Sequence, residues 1–198
     1  GASEARAQAQ LNTDIDIDFP SIIILNCFDR IDVDVTGDQL LAAIGVTGST
    51  NGAATATQTS GAATATNNAG DLEADAGTLA ATPGGSVSAV NLNLNGVCAV
   101  RAVGTGGVVE TSLAINDGAL NLNASTITVA AIRGRDGGTT AAGGGGAFTG
   151  AFPFDVATAG FGSLSYIDVQ LELDLAAVTE AGVHTGSGDT FTVTVAAP

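Results

Sequence analysis

Strict alternation of apolar and polar side chains is the clearest pattern in the chain. Leu11, Thr13, Ile15, Ile17 and Phe19 hold one parity, and Asn12, Asp14, Asp16 and Asp18 hold the other. A period of two puts each set on its own face of an extended backbone, so residues 11–19 are expected to form an amphipathic strand. Pro20 ends it, because proline has no N–H to give to a ladder. Residues 22–28 read as a buried strand. Ile31, Val33 and Val35, set against Asp32 and Asp34, read as another. A short helix is expected over 38–44, with Asp38 as its N-cap and Gly45 just past its end.

Strand patterns return at 87–94, 97–103 and 108–115, and again around Leu120, Leu122, Ile127 and Val129. Asn116-Asp117-Gly118 marks a turn among them. The best alternation in the body runs through Ile167, Val169, Leu171, Leu173 and Leu175, against Asp168, Gln170, Glu172 and Asp174. Phe191, Val193 and Val195 form the last apolar face. Between these patterns, residues 47–71 contain no Val, Ile, Leu, Phe or Tyr, and GAATAT occurs at 52–57 and 61–66. That stretch reads either as a loop or as a hairpin pairing 54–57 with 63–66. Residues 134–147 are mostly Gly and Ala and read as a loop, since ordering glycine costs more entropy than ordering other residues. Phe148, Phe152, Phe154 and Phe161 surround it as an expected plug over one end of the core. Many short strands with Gly-rich turns predict an all-β fold, an antiparallel β-sandwich or jelly-roll-like arrangement.

Charge narrows the functions open to such a fold. Five cationic residues, all Arg, face 20 acids, for a net charge of -15. Nucleic acid and anionic lipid both need clustered cations, so neither is an expected partner. No apolar run approaches the roughly 20 residues of a membrane span. The chain opens on Gly1-Ala2-Ser3 and reads as a processed, secreted product. Cys27 and Cys98 are its only cysteines. An even count in such a chain favours one disulfide over two separate buried thiols.

Candidate chemistry is sparse. His184, the only histidine, sits in Gly182-Val183-His184-Thr185-Gly186, and no GxSxG motif accompanies it. It reads as a turn histidine exposed to water, and no enzyme activity is expected. Calcium needs only oxygen ligands. Asp29, Asp32 and Asp34 near a turn are the candidate cation group, with a solubilising acidic coat as the alternative. Asn123-Ala124-Ser125 is a lone N-glycosylation triplet.

The order of the first 20 residues is the most informative feature. A small polar tail leads into an amphipathic strand, which Pro20 then cuts off from the rest. The strand is either the first strand of its own sandwich or a strand given to a neighbour's sheet. Strand addition would supply main-chain hydrogen bonds, while Leu11, Ile15, Ile17 and Phe19 filled pockets with Thr13 on the same face. A head-to-tail contact of that kind does not close, so identical subunits would form a homopolymer. The alternating segment 12–19, the Cys27/Cys98 pair and the Gly/Thr-rich β body ending in Thr-Phe-Thr-Val-Thr-Val resemble secreted filament subunits assembled by donor-strand complementation. Chaperone–usher pilins, camelysin-like biofilm-fibre subunits and archaeal bundling-pilus subunits share this outline. The resemblance implies an extracellular pilus or biofilm-fibre subunit, with 1–20 as tail and donor strand and 21–198 as one β-sandwich domain. A secreted or surface-layer binding module, with calcium as its stabilising ion, is the competing expectation.

Overall fold

The computed structural model describes residues 11–33, 35, 40, 62–64, 77–80, 87–140 and 143–198. Its described strands are β1 (Ile22–Cys27), β2 (Arg30–Asp32), β3 (Ala62–Thr64), β4 (Gly77–Ala80), β5 (Val90–Val103), β6 (Val108–Ile115), β7 (Ala119–Leu122), β8 (Ser125–Gly138), β9 (Phe154–Ala157), β10 (Ser165–Asp174) and β11 (Phe191–Ala196). The larger sheet has the order β1-β5-β10-β8-β7, with β4 also beside β5. A second sheet has the order β11-β6-β9, and β2 pairs with β3. All named pairings are antiparallel. The expected all-β antiparallel sandwich is therefore the fold observed.

Alternation explains the core. Val90, Leu92 and Leu94 of β5 and Ile167, Val169 and Leu171 of β10 point inward and are buried. Register pairs them, Leu94 with Val169 and Leu92 with Leu171. Val109 and Leu113 of β6 and Val156 of β9 close over them from the second sheet. Outward-facing polar residues link neighbouring strands: Gln170 Nε2 donates to Asn93 Oδ1 at 2.8 Å, and Arg133 Nη2 meets Glu172 Oε2 at 2.7 Å.

Three expectations change. The patterns at 87–94 and 97–103 belong to one strand, β5, rather than two. Asn95-Gly96 is not a turn there but an irregularity in the ladder, with Gly96 at φ +60°. The loop expected over 134–147 begins later, because β8 continues to Gly138. Glycine serves packing in that part of β8: a Cβ on Gly134 would overlap the Phe154 ring. Residues 11–20 lie outside every sheet and are exposed. The helix expected over 38–44 falls outside the described residues except for Leu40. The 54–57 arm of the alternative hairpin also falls outside them, and the described part of the other arm, β3, pairs with β2.

Candidate assembly interface

The N-terminal segment presents the side chains that alternation singled out. Leu11 is 91% exposed, Ile15 79%, Ile17 74% and Phe19 74%; Thr13 is exposed as well. Four large apolar side chains spaced along nine residues form an apolar surface of the kind that marks interaction sites. The root of the segment is held to the body. Ser21 Oγ donates to Gly104 O at 3.3 Å. Gly104 has φ +78°, and a Cβ there would overlap the Ser21 side chain. Pro20 then marks the point where the chain leaves the sandwich.

The rim of the core next to that root is thinly covered. Among the described strands, β1 stands at the end of the large sheet and β11 at the end of the smaller one. Ile23 and Leu25 of β1 and Phe191, Val193 and Val195 of β11 pack against the core but remain only half-buried. By contrast, the inward residues of β5 and β10 are covered from both sides. Cys27 and Cys98 are bonded, with S–S 2.01 Å and Cα–Cα 4.1 Å, across directly paired positions of β1 and β5. The bridge therefore ties β1 to the centre of the sheet.

The candidate cation group is not assembled among the described residues. Asp29 is exposed at a bend, Asp32 forms an ion pair with Arg30 at 2.7 Å, and Asp34 lies outside the described residues. No three acids, histidines or cysteines converge as a metal site among the described residues.

Two polar constellations escaped the reading by pattern. His184 is half-buried rather than exposed in a turn, and its Nε2 lies 2.8 Å from Ser125 Oγ. Nδ1 is 3.1 Å from Gly182 O, a carbonyl that can only accept. The proton therefore sits on Nδ1, and the Ser125 hydroxyl donates to Nε2. Ser125 is fully buried and accepts from the N–H groups of Thr179 and Glu180 at 2.9 and 3.1 Å. A hydroxyl so enclosed and so fully engaged is a tie between β8 and the 177–185 loop, not a nucleophile. Chain separation hid it, since the partners stand 59 positions apart.

Asp168 is the second. Alternation puts it on the polar face of β10, yet it is 0% exposed. The ladder between β10 and β5 skips from Ile167↔Cys98 to Val169↔Leu94, leaving Asp168 opposite an irregular stretch. Its carboxylate accepts from Gly96 N, Gly144 N and Arg135 Nε, each at 2.8 Å. Arg135 also donates to Gly146 O and stacks on Phe148, 4.2 Å from its ring centroid. A Cβ on Gly144 would overlap the Asp136 carbonyl. The glycine run was the available signal: one of its members, Gly144, brings its backbone N–H to a buried charge where a side chain would not fit. A cleft of about 440 Å³ beside this network is lined by Arg135, Asp136, Gly144, Phe154 and Asp155. Two of its charged groups are engaged, Arg135 with Asp168 and Asp136 with Gly138 N and Ala157 N. The expected aromatic plug is partial: Phe152 and Phe154 are 6.0 Å apart, whereas Phe161 is exposed.

No family model, curated protein or solved structure matches the chain.

Proposed function

We propose that the protein is a structural subunit of an extracellular filament, in which residues 11–19 of one copy lie along the rim between β1 and β11 of the next. The observation that carries this reading is the exposure of Leu11, Ile15, Ile17 and Phe19 on a segment of strand periodicity. The half-buried rim residues Ile23, Leu25, Phe191, Val193 and Val195 supply the complementary apolar surface. A strand added beside β1 gains ladder hydrogen bonds and covers the end of the sheet as the described strands form it. Four apolar side chains, each worth roughly 1.5–3 kcal/mol when fully buried, give on the order of 6–12 kcal/mol before ordering costs. The disulfide, a marker of oxidising compartments, supports an extracellular setting. No helix of the described residues is long and apolar enough to cross a membrane.

Negative-stain microscopy of the purified chain tests this reading. Fibres that persist on dilution are expected, and Ile15→Asp/Ile17→Asp should abolish them while the body stays folded. A double variant that still forms normal fibres would overturn it.

A further inference from the structure

Asn123-Ala124-Ser125 is the only N-x-Ser/Thr triplet in the sequence, and it sits at the tip of the β7–β8 hairpin. Leu122 pairs with Ser125, so Asn123 and Ala124 form a two-residue turn, and both are exposed. Asn123 has φ +53°, a left-handed conformation that asparagine tolerates better than most residues. Its Nδ2 donates one hydrogen to Glu180 Oε2 at 2.8 Å. An amide nitrogen carries two hydrogens, so substitution of the other can leave this bond intact. β7 is the edge of the large sheet farthest in strand order from β1. A group attached at Asn123 therefore sits at the end of the large sheet away from β1.

We infer that Asn123 is an acceptor for an N-linked glycan, and that folding of the β7–β8 hairpin closes the site. The donor class is an oligosaccharide carried on a polyprenyl diphosphate. The Asn123 Nδ2–C1 bond forms as the sugar C1–O bond to the diphosphate breaks. Nδ2 gives up one proton, and polyprenyl diphosphate departs. N-x-Ser recognition needs the hydroxyl two residues beyond the asparagine. In the folded chain that hydroxyl is Ser125 Oγ, fully buried and bound to His184, Thr179 N and Glu180 N. Transfer consequently precedes closure of the hairpin, and the finished turn then holds the modified side chain outward.

The test has two arms. The full chain, secreted from yeast with a reporter sequon appended at its C-terminus, is mapped by peptide mass spectrometry before and after enzymatic glycan release. Occupancy at Asn123 is expected, read as conversion to Asp on release. Asn123→Gly, which keeps the positive φ accessible, should lose the glycan with an unchanged melt, and Ser125→Thr should retain it. A bare Asn123 beside an occupied reporter overturns the inference. In the second arm, purified oligosaccharyltransferase and lipid-linked oligosaccharide act on the oxidised folded chain or on the reduced, denatured chain. Modification of the folded chain at under one tenth of the denatured level is expected, and equal modification overturns the closure.

Discussion

Individual side chains in this protein are decided by what surrounds them rather than by residue type. Asp117 accepts from Ala119 N, from the Ser187 hydroxyl, and from Ser187 N and Gly188 N. These bonds, the Ala119 N–H foremost, hold its pKa below the ordinary 3.8. A carboxylate with a depressed folded pKa stabilises the fold above its unfolded pKa. That contribution is lost as pH falls through the lower, folded value. Asp117→Asn should accordingly melt below the parent at pH 7, with the gap narrowing below about pH 4; an equal gap at pH 7 and pH 2 would contradict the assignment. Glycines give a second contrast. Gly134→Ala forces a methyl group into Phe154 and Leu113, and overpacking of that kind typically costs about 1–3 kcal/mol. Gly146→Ala meets nothing within 4 Å and should stay within about 0.5 kcal/mol of the parent. Denaturant titration of the two variants compares them directly.

Strands show where alternation is a sufficient guide and where it fails. β6 spans Val108–Ile115 as expected, and β10 and β11 match their patterns closely, because one face of each meets the core and the other meets polar groups. The Cys27–Cys98 pairing was also legible from cysteine count. Asp168 was not, since parity says which face a residue occupies and nothing about a glycine loop folding over that face. His184 and Ser125 were illegible for a related reason: each bond joins segments far apart in sequence. Asp168→Ala should cost about 3–5 kcal/mol, because Arg135 is only 18% exposed and would lose its counter-charge. Opening the disulfide by Cys27→Ala/Cys98→Ala should cost about 4 kcal/mol, the loop-entropy value for a separation of 71 residues. Both losses are read from urea midpoints at matched slopes.

At the level of assembly, one chain carries both halves of the proposed contact: an exposed apolar segment and a rim of half-buried apolar side chains. Each is a liability alone, and each supplies what the other lacks. The acidic parity of the segment, Asp14, Asp16 and Asp18, then faces solvent in the proposed polymer. A photo-reactive side chain placed at position 17 examines the contact itself. Fibres are grown from an equal mixture of unlabelled and 15N-labelled chains carrying that probe, irradiated, and digested. Donation between subunits should give crosslinks from the 11–19 segment to peptides containing 22–27 or 191–196, a substantial share of them with mixed isotope masses. Crosslinks found only within single chains, or only to other strands, would contradict it.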